Sequence, residues 1–435
     1  MNAGIRAEPI RGVWSDIARD FSSRGDIEEY VEWCGRNRVS VTFPCVNHCT
    51  GVVTYPSDVA PRAAKFDDWD PMPDLIRLCH AAGIEVHVWV CCTHWGPQDF
   101  SGARQARNGR QPSDKGPRPI QETHRDWFTV NHAGQSVLDE AGGGEAIHQG
   151  GLLNLGLPPV QEFLERLFAE IMDRYEVDGV HLDYIRSPFL HEDWSIEVPA
   201  ANTGWAAAQV GDIFQVLPRS GEPKRAAPGG FRAAEVLSVA VLPAEAGGTP
   251  RRRLVLRHIG RYGFNDEMMN AFEQETGLRY FAAGSDTPER VAWLYRNHRA
   301  EWHTWKSAQI TQLVRRISGV TRRRQRRLSA AVFDCIPWCS QDIAQRWHEW
   351  CNEGLLDFVC PMDYGKKADA LGGRLDEQNS FLSEPRVPSL AGILTGCEII
   401  ELSCEDLEAC EAVARAKGQA GISLYCYGTW KRVLR

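Results

Sequence analysis

Eight short apolar segments, separated by amphipathic stretches of helical period, constrain this chain more than any other feature of its sequence. They are Arg11–Asp16, Val39–Pro44, Ile84–Val90, Gly179–Asp183, Leu328–Asp334, Leu356–Asp363, Val387–Leu394 and Gly421–Tyr427. Strand-length runs alternating with helices are the signature of parallel α/β architecture, and eight strands close a barrel. The spacing therefore predicts an α/β fold of the (β/α)8 TIM-barrel class.

The intervening helices carry their own punctuation. Val160, Phe163, Leu164, Leu167, Phe168 and Ile171 recur on one helical face behind a Pro158-Pro159 start. Ser403-x-x-Asp406 has the form of a capping box, opening a helix that closes near Gly418. Gly35 and Gly83 are expected to close the first two helices.

Strand parity predicts what faces the barrel interior. In Gly179-Val-His-Leu-Asp183, Val180 and Leu182 belong against the helices, leaving His181 and Asp183 for the lumen. By the same alternation Glu85, His87 and Trp89 face in on the third strand, and Tyr425 and Tyr427 on the eighth. Polar groups are costly to bury unless paired or next to water, so such a lumen predicts a functional mouth.

Two stretches break the rhythm. Residues 96–151 read as a long loop after the third strand, centred on Trp127–Gly134. Residues 190–287 are too long for a loop and read as an inserted β-rich and helical subdomain, with strands at Glu235–Leu242 and Arg253–His258 and a helix at Asp266–Gly277. The barrel is then 1–189 plus 288–435. Both stretches follow strand C-termini, the face where barrel enzymes place active sites.

Composition removes several function classes. A net charge of −8 gives no electrostatic reason for nucleic acid or an anionic membrane as partner. The basic run from Arg322 to Arg327 reads as a solvated helix C-terminus. The 14 cysteines lack zinc-ribbon spacing and read as reduced thiols of a cytoplasmic protein. No signal peptide or membrane span is expected, a homo-oligomer is left open, and no metal or cofactor motif occurs.

Val177-Asp-Gly-Val-His-Leu-Asp-Tyr-Ile-Arg-Ser-Pro188 resembles the fourth-strand motif of the glycosyl hydrolase-like 10 barrel proteins. So do Leu153-Asn-Leu-Gly-Leu-Pro158, Phe272-Glu-Gln-Glu-Thr-Gly277 and Phe358-Val-Cys-Pro-Met-Asp-Tyr364. The resemblance implies a carbohydrate substrate and a carboxylate at the end of the fourth strand, here Asp183. The motif is also similar to that of family 18 chitinases, but Ile185 stands where their acid would be. A looser resemblance, to the family 156 exo-sialidases, implies roles for Asp16 and His132, with Arg186 holding a substrate carboxylate.

Glycoside cleavage needs one group to protonate the leaving oxygen and another to activate water or stabilise positive charge. The catalytic candidates are Asp16, His132, Asp183 and Asp363. Asn47, His48, His94, His181, Arg186 and Asp334 are candidate substrate contacts, Asp334 alternatively a helix-entry cap. Trp14, Trp89, Trp95, Tyr184 and Tyr364 could form a sugar-stacking floor, joined by Tyr425 and Tyr427. Trp302, Trp305, Trp347 and Trp350 read as core. The alternatives are a carbohydrate-binding barrel without hydrolytic activity and a hydrolase of another bond in a cell-wall fragment.

Overall fold

Side-chain alternation along the short strands decides how the molecule is built. In the computed structural model, β1 (Ile10–Asp16), β2 (Val41–Cys45), β3 (Glu85–Cys91) and β4 (Gly179–Asp183) are consecutive neighbours in one parallel sheet. Residues 9–47, 49, 51–96, 111–139, 151–187, 193–200, 208–210, 212–216, 232–244, 250–258, 262–278, 286–396 and 400–434 are described. Beyond an inserted sheet of four strands, the parallel sheet continues with β9 (Arg327–Phe333), β10 (Phe358–Met362), β11 (Leu390–Leu394) and β12 (Gly421–Tyr425). The order is β10-β9-β4-β3-β2-β1-β12-β11, and the two ends meet where Val359 N donates to Pro388 O at 3.0 Å. The protein is an α/β (β/α)8 TIM barrel.

Val13, Val86, Val88, Val90, Val180, Leu182, Ile422 and Leu424 point outward into the core shared with the helices. Trp14, Phe43, Trp89, Cys91, Phe358 and Cys360 fill the barrel itself, with Tyr425 packed against them. The helix Pro158–Arg174 buries all six of its expected apolar positions. At roughly 1.5–3 kcal/mol for each large apolar side chain removed from water, this face alone stabilises the layer by several kcal/mol.

Some termini differ from expectation. The Ser403–Asp406 capping box forms as read, and Gly83 takes φ +72 after the helix Met72–Ala81. Gly35, however, lies inside the helix Arg24–Arg36, and the left-handed residue beyond that helix is Arg38. Tyr427 is also a correction. β12 ends at Tyr425, and Tyr427 starts a short helix and packs outward against Tyr30 and Trp33, with ring centroids 4.8 and 5.2 Å away. The strand alternation stops before it reaches that residue.

The basic run at the end of the helix Arg299–Arg323 is neutralised locally. Arg323, Arg324, Arg326 and Arg327 pair with Glu165, Asp173, Glu176 and Glu85.

The inserted strands β5 (Asp193–Pro199), β6 (Ile213–Val216), β7 (Arg232–Leu242) and β8 (Arg251–His258) form an antiparallel sheet in the order β5-β8-β7-β6. It has a small core of its own, made by Ala208, Val236, Leu254 and Leu256. The following stretch behaves differently: Tyr262, Phe264, Met268, Met269 and Phe272 join the main core. Asn265 ties this stretch to the loop after β3. Its Oδ1 accepts from Val130 N and Asn154 Nδ2, and its Nδ2 donates to Phe128 O.

Candidate active site

The barrel mouth is built from the last inward residue of each of several strands. Asp183 closes β4, 6% exposed, and Asp16 closes β1, 2% exposed. Between them in the wall, Asp16 pairs in register with Cys45 of β2, and Asp183 with Cys91 of β3. The Cys45 and Cys91 thiols touch each other, and burial pushes both pKa values up, so they are neutral groups lining the wall. The two carboxylates thus lie in the same rim layer, separated by two strands.

Asp183 is held tightly. Its Oδ1 accepts from Tyr184 N at 2.6 Å, and its carbonyl accepts from Cys92 N at 2.8 Å. Tyr184 itself takes φ +49, a left-handed conformation that costs a non-glycine residue about 1–3 kcal/mol and is concentrated at functional sites.

Three half-buried tyrosines, Tyr184, Tyr364 and Tyr425, lie close enough to this carboxylate to feel its charge. The Tyr184 hydroxyl is driven up in pKa by Cys49 first, then by burial and Asp183. In Tyr364 and Tyr425 burial leads, with Asp183 again contributing. The field of Asp183 therefore reaches all three, and each stays a neutral hydroxyl able to donate or accept. The Tyr364 and Tyr425 rings lie 5.4 Å apart, and Trp14 and Trp89 are 6.0 and 6.4 Å from Tyr425.

Arg186 stands on the rim next to this group. Its guanidinium lies 4.3 Å from the Tyr184 ring centroid and 4.7 Å from that of Phe333. Its Nη1 is buried with no hydrogen-bond partner among the described residues. His94 packs edge-on to the Tyr184 ring at 4.1 Å.

Other expected contacts are structural instead. His181 lies below the mouth, fully buried, with its Nε2 accepting from Trp14 Nε1 at 3.1 Å and its Nδ1 facing Ser329 Oγ at 2.8 Å. Burial, with help from His87, holds its pKa well below the usual histidine value, so the ring is neutral and its proton goes to Ser329. Phe43 packs on it at 4.3 Å. Both it and the nearly buried Trp14 are barrel filling. Asn47 spends its amide on the backbone, giving Nδ2 to Cys91 O and accepting from Cys91 N. Trp95 points away from the mouth, with its Nε1 on Cys92 O and its ring 5.0 Å from Phe163. The four helix tryptophans at 302, 305, 347 and 350 are core.

Asp363 and Asp334 form a separate group. Inward positions of β10 are Phe358, Cys360 and Met362, so the next residue, Asp363, turns outward, towards the helix Ala368–Ser380. There its Oδ1 accepts from Gln378 Nε2 at 2.9 Å. Burial, then the charge of Asp334, pushes its pKa up to about 8. Asp334 is no helix cap: it pairs with Lys366 at 2.6 Å and Arg374 at 3.1 Å. His132 is buried in the loop after β3, whose neighbouring bonds run to Tyr262, Gly263 and Asn265. His48 lies outside the described residues.

Arg19 was not foreseen. It lies three residues beyond Asp16 in the turn that Asp16 caps, pairs with Asp20, and reaches Cys426 Sγ at 3.3 Å. The i, i+3 spacing from a strand-end carboxylate was the available signal. Among the described residues no His/Cys/Asp/Glu group has the arrangement of a metal site, and no helix is long and apolar enough to cross a membrane.

Residues 9–190 match the family model described as Glycosyl hydrolase-like 10. That stretch carries β1 to β4 and both rim carboxylates, so the resemblance of the fourth-strand motif is borne out. The glycosyl hydrolase DigH of Escherichia coli (strain K12) is 25% identical over 148 residues, which is 32% of this chain and 30% of the relative. The match thus spans less than a third of the curated relative's length. Among solved structures, the PgaB (BpsB) glycoside hydrolase domain from Bordetella bronchiseptica aligns with TM-score 0.56 at 11% identity, covering 98% of this chain and 96% of that one. A cold-adapted beta-galactosidase from Rahnella sp. R3 gives 0.51 at 10% identity, over 96% of this chain and 50% of the other. At such identities the structures show the shared fold. The comparisons support a glycoside-hydrolase-like protein, and the resemblance to family 156 sialidases gains nothing from them.

Proposed function

We propose that the protein hydrolyses a glycosidic bond of an oligosaccharide or glycoconjugate at the barrel mouth, with Asp183 and Asp16 as the reacting pair of carboxylates. The observation that carries this reading is the placement of Asp183: a nearly buried carboxylate at the end of β4, with one oxygen on the Tyr184 backbone amide and a charge felt by three tyrosine hydroxyls. The half-buried tyrosines offer apolar faces for a sugar and hydroxyls for its oxygens. One carboxyl protonates the leaving oxygen while the other activates water. Asp16 and Asp183 stand on β1 and β4, with β2 and β3 between them in the wall. Inverting chemistry needs the two carboxyls wide enough apart to admit a water molecule, and the placement on strands that are not neighbours favours that reading.

Arg186 narrows the substrate. A guanidinium held over the Tyr184 and Phe333 rings, with Nη1 lacking a hydrogen-bond partner among the described residues, favours a sugar that carries a carboxylate, such as a sialic or uronic acid. Fluorogenic neutral and acidic glycosides, followed by proton NMR of the first-formed anomer, test the proposal. Release of an acidic sugar with inverted configuration is expected. Saturable sugar binding with no product from any member would instead indicate a carbohydrate-binding barrel.

A further inference from the structure

Outside the barrel mouth, the loop after β3 lies against the helix Pro158–Arg174 along a groove of about 320 Å³, near the lower end of the volumes that small-molecule sites occupy. Pro159, Glu162, Phe163 and Arg166 form the helix wall, spaced i, i+3, i+4 and i+7 and therefore on one face. The loop wall carries His124 and Trp127, whose rings stack with centroids 4.0 Å and planes 5° apart. Trp127 also lies 5.8 Å from the Phe163 ring, so the two walls meet at this stack. The polar groups here are uncommitted. Among the described residues, the side chains of Glu162 and Arg166 make no ion pair or hydrogen bond, and neither do the His124 and Trp127 ring nitrogens. Glu162 and Arg166 have the spacing and order that suit an ion pair on a helix surface, yet they leave each other open. Arg118 on the far rim differs, being paired with Glu122.

We infer that this groove is a second carbohydrate site, taking an uncharged pyranose unit of an oligosaccharide. A carboxylate and a guanidinium one turn apart attract and repel an ionic ligand together. Neighbouring sugar hydroxyls suit both, donating to Glu162 and accepting from Arg166. The C–H face of a pyranose is apolar and packs on aromatic rings, which the His124–Trp127 stack provides, while the imidazole and indole nitrogens remain for its outer oxygens. Binding there breaks no contact that these four side chains make through their polar atoms. None of them belongs to the candidate active site, so the inference does not depend on the proposed hydrolysis.

Titration calorimetry of the full chain with cellotetraose, maltotetraose and N-acetylchitotetraose, and with tetragalacturonate as the charged comparison, tests it. At least one of the three uncharged tetrasaccharides should bind saturably below about 10 mM. Arg166→Gln should weaken that binding about tenfold, the loss of one charge-assisted bond, and Trp127→Ala by at least as much. Arg166→Gln should leave any affinity for tetragalacturonate as it is in wild type. Arg166 is exposed and Trp127 packs on Phe163, so Arg166→Gln keeps the test valid if Trp127→Ala does not fold. The inference is overturned if none of the uncharged sugars binds saturably up to about 10 mM. It is equally overturned if Arg166→Gln binds the best of them like the wild type, which would place the sugar elsewhere, or if Arg166→Gln weakens tetragalacturonate instead.

Discussion

A carboxyl group removed from water keeps its proton unless a cation or donor replaces the lost solvation. At Asp363 the replacement is partial. One oxygen receives Gln378, the other is buried without a partner among the described residues, and Lys366 and Arg374 are engaged by Asp334. With its pKa pushed up to about 8, the folded protein holds a proton that the unfolded chain has lost above about pH 4. Between these pH values the native state binds more protons than the unfolded one, so this residue makes stability fall as pH rises, levelling off above about 8. Asp363→Asn removes the titration and keeps the shape. Its stability in urea should decline less than that of wild type between pH 5 and pH 8, a slope difference of about 1 kcal/mol per pH unit. Equal slopes would mean that Asp363 is ionised in the fold. The sequence shows an acid after an apolar strand, but not which way it turns. That depended on where β10 stops, one residue before it.

At the scale of elements, alternation was the most legible signal. Val86, Val88, Val180 and Leu182 go outward and Asp183 goes inward because a strand offers only two faces. The same rule failed at Tyr427, where β12 had already given way to a helical turn. Arg19 and Cys49 reach the mouth through a capped turn and a left-handed residue, and neither has a periodicity to read. Gly179 ties the strands together more closely than its lack of a side chain suggests. A Cβ there would lie 2.5 Å from Arg327 O and 2.6 Å from His87 Nδ1, so β3, β4 and β9 pack at full contact only with glycine. Gly179→Ala should therefore destabilise the fold by about 1–3 kcal/mol, as overpacking does, lowering the midpoint of chemical unfolding. An unchanged midpoint would show that the three strands can separate freely at this point.

For the whole molecule, the barrel gathers at one end residues that are far apart in the chain. Asp16, Asp183, Tyr364 and Tyr425 come from four strands or their C-terminal edges, and the 262–276 stretch braces the long loop beside them. The eight-strand pattern and the place of Asp183 were readable in advance because both rest on local rules. The division of labour among the acids was not, because burial and partners come only with the tertiary fold. The most direct test of the account is the turnover of Asp183→Asn on the best substrate of the glycoside panel, measured alongside its thermal unfolding. The account predicts a fall in kcat of about 10²–10⁴-fold, the worth of a general acid or base, with the melting temperature nearly retained. A folded Asp183→Asn protein that turns over like the wild type would contradict it.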